Sequence, residues 1–248
     1  MVRLTRRDSG ADGKVRKKGS VFSMSETNLT VKADSQAARK IMLRRIASCA
    51  ILSAMAAILM FLEIRPSLLL LPFPDFLAFD FSEVPVLIGT FALGPVWGVV
   101  IELIKNLLHL PFSGSMGVGE LSNFLVGSVF VFTAGQIYRK MRTKKGAAMA
   151  MAFATLILSL TSMPINYYIN LPFYAKAFGL SMDAVIGMSA KVNPLVKDPM
   201  TLLLFVFFAF NLFKGIVVSV ITFFVYKPIS KLINRTYDKT HAPKAQKA

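Results

Sequence analysis

Apolar residues in this chain fall into long runs, broken by short polar or proline-rich stretches. A helix of about 20 apolar residues crosses a hydrocarbon core of roughly 30 Å at 1.5 Å per residue. On that pattern the sequence predicts an all-α membrane protein, a bundle of six transmembrane helices near residues 41–62, 82–93, 95–110, 117–138, 146–172 and 201–226. The second is short and stops at Gly94-Pro95, a turn signal. Before it, Asp80-Phe-Ser-Glu83 reads as a capping box, with Asp80 as N-cap and Glu83 at the third helical position. Residues 63–80 carry Pro66, Pro72 and Pro74 among leucines and phenylalanines. No continuous helix survives that composition, so the segment is expected to lie in the interface or fold over a cavity. Residues 173–199 read as a longer mixed loop.

Charge assigns the sides. The 248 residues are 54% hydrophobic and only 17% charged, yet carry a formal net charge of +16. Basic residues cluster in residues 1–45, in the connection Arg139–Lys145 and after the last span, from Lys227 to Lys247. Basic loops stay cytoplasmic, so both the N- and C-termini are expected in the cytoplasm, with residues 63–80, 109–117 and 173–199 outside. Residues 1–40 lack the short apolar core and cleavage site of a signal peptide and read as a disordered basic cytoplasmic extension. Residues 41–230 form the six-helix domain, and 231–248 a basic tail. The basic residues flank spans and do not interleave with aromatics on a soluble domain, which suits anionic membrane lipid and not nucleic acid. Cys49 is the only cysteine, which leaves neither a disulfide framework nor a cysteine metal site, and no metal ligand set is expected.

Polar residues inside the spans are the candidate chemistry. Lys214 sits near the middle of the last one, too far from either interface to snorkel. An ammonium at that depth costs roughly 2.5–3.5 kcal/mol on insertion scales, so a polar group must receive it. Asn211, three residues earlier, shares its face. In the fifth span Pro164 frees a backbone carbonyl beside Asn166, Tyr167, Tyr168 and Asn170, which marks a kink lined with hydrogen-bonding groups. Glu102 and Lys105 are three apart and form either an internal salt bridge or part of a site. Glu120 and Asn123 either line a cavity near the outer surface or satisfy the preceding loop. His109, near a span end, reads as interfacial. The glycines from Gly114 to Gly119 lack the Lys-Ser/Thr of a phosphate loop. In the first span Ala50-x-x-x-Ala54 and Ser53-x-x-x-Ala57 allow another helix to approach, from within the bundle or from a partner.

Asp80-Phe-Ser, Phe91-Ala-Leu-Gly-Pro95, Glu102-Leu-Ile-Lys-Asn106, Gly117-Val-Gly-Glu-Leu121, Asn123-Phe-Leu-Val-Gly127, Asn166-Tyr-Tyr and Asn211-Leu-Phe-Lys214 together resemble the RibU group of bacterial energy-coupling factor (ECF) transporters. The match covers about residues 41–230 and leaves out the basic extension. The resemblance implies a riboflavin-binding S component in the bacterial cell membrane. It would take its substrate from outside and dock on a transmembrane T subunit and two cytosolic ATPases. It also implies that Asn166, Asn211 and Lys214 hold the ligand, with Asn123, Leu77 and Phe79 as further contacts. Ala50 and Ala54 correspond to the T-subunit face. Riboflavin is then a transported substrate, and no cofactor or enzymatic activity is expected. Lysine and asparagine suit such a neutral polar ligand in an aromatic-rich cavity.

Other readings fit less well. A self-sufficient secondary transporter usually shows inverted repeats and more spans, and no repeat relates the halves here. A retinal-type Schiff base on Lys214 wants a seventh span and an acidic counter-ion. A membrane-embedded enzyme wants clustered acids or histidines at interface depth.

Overall fold

The structure is a computed structural model that describes the backbone of residues 12–238 and the side chains of residues 36–226. It divides into residues 1–46 and a compact helical unit from Ala47 onward. The regular elements among the described residues are all helical: α1 (Asp12–Phe61), α2 (Glu83–Leu93), α3 (Pro95–His109), α4 (Val118–Lys140), α5 (Lys144–Ile165), α6 (Leu171–Phe178), α7 (Met182–Ala190), α8 (Pro199–Leu202) and α9 (Ala209–Asp238). Four helical stretches are long and apolar enough to cross a membrane, at Gln36–Phe61, Val118–Lys140, Lys144–Phe178 and Pro199–Tyr226.

Element boundaries follow the apolar pattern except at three places. Residues 12–40, expected to be unstructured, have helical backbone continuous with α1. No proline interrupts them, so nothing in the covalent chain forces the helix to stop. Residues 1–11 of the expected extension, and 239–248 of the expected tail, lie outside the described residues. The loop at 173–199 contains α7, whose N-cap Ser181 accepts a hydrogen bond from the Ala184 amide. Its Val185 packs with Leu171, Val196, Leu202 and Phe207. The third departure is at the start of α2. Its N-cap is Ser82, with no side-chain cap. Asp80 instead accepts from the Ser82 amide at 2.8 Å, and Glu83 turns inward toward Lys105. The expected capping box is therefore absent, because both carboxylates have stronger cationic partners.

Helix α2 has 11 residues, about 16 Å long, and α3 has 15, about 22 Å. Every residue of α2 from Glu83 to Phe91 is buried. A helix that is covered on all sides belongs to the core of a bundle. Its Val86, Leu87 and Ile88 pack with Leu52 and Ala56 of α1, Ile101 of α3, Phe130 and Val131 of α4, Met151 and Ala154 of α5 and Val218 of α9. Small residues set the spacing: a Cβ added at Gly98 or Gly135 would collide with Thr90.

Within this core lies a buried ionic cluster. Lys105 of α3, fully enclosed, donates to Glu83 of α2 and to Ser82 Oγ at 2.9 Å, and its Nζ lies 3.0 Å from Glu102 Oε1. Asn106 Nδ2 donates to the same Glu102 oxygen at 3.0 Å. Gly127 of α4 leaves room for the two carboxylates, since a Cβ there would meet Glu102 and Glu83 side-chain oxygens. A buried ammonium is tolerated only when surrounded like this, and removing one member exposes the rest to an uncompensated desolvation penalty.

Replacing Lys105 with Met alone should therefore lower stability by about 3–5 kcal/mol. The combined change with Glu83→Gln and Glu102→Gln should recover most of it. Thermal unfolding of the detergent-purified variants measures both.

Candidate functional site

The loop at 63–80 closes at its base through a backbone bridge, with Ile64 N–H donating to Phe79 O at 2.7 Å and Phe79 N–H to Ile64 O at 3.0 Å. A short 3-10 turn, Pro66–Leu69, follows the Ile64 side of the bridge and ends at Leu70, whose φ is 54°. Its leucine tip is exposed, and its second half, from Phe73 to Ala78, turns toward the bundle and lines a cavity. That cavity has a volume of about 850 Å³, within the range of small-molecule sites. The rest of its wall comes from α1 to α7, α9 and the segments that join them.

Two wide turns shape the bundle side of this wall. Pro164 and Pro172 each withdraw an amide donor from the same long helix, and between them residues Asn166–Asn170 widen into a π segment. Leu203–Phe208, just ahead of α9, is a second π segment. Wide turns leave carbonyls open to side-chain donors. Asn166 Nδ2 donates to Ser162 O at 2.7 Å, and Asn211 Nδ2 to Phe207 O at 2.8 Å. Asn170 Nδ2 joins Asn166 Oδ1 at 2.7 Å and Ser122 Oγ of α4 at 2.9 Å. Only an amide NH₂ satisfies a carbonyl, so the orientation of Asn166 and Asn211 is chemically fixed.

Lys214 finds its polar partner in Asp80, with Nζ to Oδ2 at 2.8 Å. Asp80 holds the junction between the loop and α2, so the ion pair ties α9 to both. Ser82 then links the two ionic groups: its amide donates to Asp80 and its hydroxyl accepts from Lys105. At the opposite wall, Glu120 accepts from Ser113 Oγ at 2.6 Å and Ser115 Oγ at 3.3 Å, and stands 2.9 Å from His109 Nδ1. Glu120 thus both satisfies the glycine-rich connection and lines the cavity. His109 is buried against Phe61, and that carboxylate receives it.

Of the residues singled out from the sequence, Leu77, Asn123, Asn166, Asn211 and Lys214 all line this one cavity. Phe79 does not: its backbone is held in the bridge, and its ring packs against Phe81 and Phe213 behind the wall. Ala50 and Ala54 are exposed on α1, whereas Ser53 and Ala57 are buried in the bundle, so the two small-residue pairs of the first helix serve different faces. Sequence reasoning missed that Asp80, Glu83, Phe73, Phe207 and Phe210 line the same cavity. Lys214 did demand a counter-charge, and Asp80 is a carboxylate flanking an outer loop. The aromatic lining had no comparable signal.

Residues 44–226 match the sequence model of the family described as ECF transporter, substrate-specific component. The chain is 34% identical over 193 residues to the riboflavin transporter RibU of Staphylococcus aureus, covering 77% of this chain and 93% of that protein. It is 30% identical over 182 residues to the riboflavin transporter FmnP of Bacillus subtilis, covering 72% and 87%. A solved structure of the S component of a bacterial ECF transporter superposes with a TM-score of 0.60 at 31% identity, covering 78% of this chain and 99% of that one. The buried-lysine cavity, the helical frame and these likenesses converge: the chain belongs to the family of ECF transporter substrate-specific components.

Proposed function

We propose that this chain captures riboflavin from outside a bacterial cell in the cavity between the 63–80 loop and α9. It would pass the ligand inward together with a transmembrane T subunit and two cytosolic ATPases. The observation that carries the reading is the cavity itself, about 850 Å³ and lined by Phe73, Phe207, Asn211 and Lys214, in a member of this transporter family. Relatives named as riboflavin transporters support the substrate. A flat heteroaromatic ring suits the phenylalanine wall, and its carbonyls and N–H suit the lysine and asparagines. Membership of a transporter family sets aside the membrane-embedded enzyme.

In this reading Lys214, Asn211 and Asn166 hold the ring's polar edge, and Asn123 and Leu77 complete the wall. Phe79 acts from behind, fixing the loop against α9. All six apolar segments cross the bilayer, α2 as a short span sheltered by its neighbours and α3 as a short span with an exposed apolar face at Val96, Leu103 and Leu107, with both termini in the cytoplasm. The exposed Ala50 and Ala54 form the close-approach face for the T subunit.

Purified protein should bind riboflavin tightly enough to retain flavin absorbance through washing and to quench added riboflavin's fluorescence. A protein that stays colourless and does not quench would remove the substrate assignment. Lys214→Ala removes a charge-assisted hydrogen bond and should weaken binding about 10–100-fold, and Asn211→Ala about 3–10-fold, by the same titration. Vesicles containing this chain alone should show no sustained riboflavin uptake, since transport needs the ATPase partners. Ala50→Leu with Ala54→Leu should leave flavin quenching intact while abolishing uptake in cells carrying the whole transporter.

A further inference from the structure

Two turns at the mouth of the cavity carry backbone strain of the same kind. Among the described residues, the non-glycine residues with positive φ are Leu70, at 54°, and Met116, at 55°. Left-handed backbone is disfavoured for a residue with a Cβ, and glycine or asparagine is the common occupant of such turns. Here the strained residues present apolar side chains outward: Leu70 is 94% exposed and Met116 71%. Leu68, Leu69 and Phe112 stand exposed beside them, while Ser67, Leu71 and Ser115 of the same two turns line the cavity.

Both turns also satisfy their own backbone. The amides of Leu68, Leu70 and Leu71 donate to Arg65 O, Ser67 O and Pro66 O, and that of Ser67 donates to Asp75. In the second turn the amides of Ser115 and Gly117 donate to Ser113 Oγ, that of Gly119 to Ser115 Oγ and that of Val118 to Ser115 O. A loop in water has no need of this, whereas one entering lipid must bring its amides already paired. Residues 66–74 and 110–119 contain no ionisable side chain.

The apolar surface of these turns continues that of the helices. Exposed Ile51, Met55 and Ile58 run along α1 to its end, where Phe61 packs on Phe112 with ring centroids 5.1 Å apart. Exposed Leu103 and Leu107 of α3 lead to Leu110 at the start of the second turn. The segment from α6 to α8 lines the same cavity but carries exposed Lys176, Asp183, Lys191, Lys197 and Asp198.

Resting on the reading of these helices as membrane spans with both turns outside, we infer that Leu68–Leu70 and the turn from Phe112 to Met116 seat in the outer-leaflet interface of the bilayer. Charge-free, self-bonded turns tipped with leucine, phenylalanine and methionine match the boundary between acyl chains and headgroups, where apolar groups sink about 5–10 Å. Arg65 stands beside Asp75 at the base of the leucine tip, and that charged collar stops it at headgroup depth. The loop over the cavity is then held by lipid at its tip and by the Asp80–Lys214 pair at its root. Only the α6–α8 side of the mouth faces water.

Tryptophan probes in vesicles test this. Trp97 is the only tryptophan, so Trp97→Phe gives a silent background in the full chain. Onto it go, one at a time, Leu70→Trp, Met116→Trp, Lys191→Trp on the charged side, and Leu103→Trp on the exposed face of α3. Each protein is reconstituted in phosphatidylcholine vesicles that are unbrominated, brominated at shallow acyl positions or brominated at deep ones, and is then titrated with aqueous acrylamide. Shallow bromine should remove most of the emission of the Leu70→Trp and Met116→Trp proteins and acrylamide little of it, and the Lys191→Trp protein should show the reverse. Acrylamide quenching at Leu70→Trp and Met116→Trp as strong as at Lys191→Trp, with Leu103→Trp still quenched by deep bromine, would overturn the lipid seat and leave the spans standing. An Leu103→Trp protein untouched by brominated lipid at either depth would overturn the span reading and this inference with it.

Discussion

Buried charge must be neutralised, and the helices around the site are arranged to meet that demand. Two lysines lie within the bundle, Lys105 fully buried and Lys214 partly so, and burial costs each of them solvation. Lys105 is enclosed by Glu83 and Glu102, and Lys214 reaches Asp80. Ser82 stands between the two groups and bonds to both. The consequence is mechanical as much as electrostatic. α2, α3 and α9 are registered against one another by these bonds, and the loop that covers the cavity is attached at the same point.

This explains why α2 is so short. A helix facing lipid has to carry its backbone ends to the interfaces. One surrounded by protein does not, since its neighbours supply both the apolar contacts and the polar partners. The ionic cluster occupies the N-terminal end of α2, where it also sits against the cavity. Cavity wall and structural core therefore share residues: Asp80 and Glu83 line the cavity and anchor the fold.

Much of this was legible in the sequence because its strongest signals are energetic. A lysine in mid-span requires a partner, and a proline beside asparagines requires an irregular turn; both requirements appear in the structure as the Asp80 pair and the Asn166–Asn170 widening. Glu102 and Lys105 pair as their spacing suggests, but Glu83 joins them from another helix. Spacing rules see one helix at a time, so a third partner at a sequence separation of 22 residues escaped them, and Asp80 and Glu83 were assigned to a local cap instead. Phe79 lies behind the cavity wall for a related reason. Composition marks the loop as apolar, but only the Ile64–Phe79 bridge decides which of its rings face inward. The α7 helix went unseen because its burial depends on residues of the following segment.

The asparagine bonds to their own helices have one more consequence. Asn166 and Asn211 are each tied to a carbonyl four residues back, so the fold itself sets the directions of their oxygens. A free side chain would lose about 0.5–1.5 kcal/mol of rotamer freedom on capture. Here that loss belongs to folding instead. Pre-organised acceptors of this kind set a demanding template: a well-matched ligand loses little entropy in meeting them, and a poorly matched one cannot persuade them to turn.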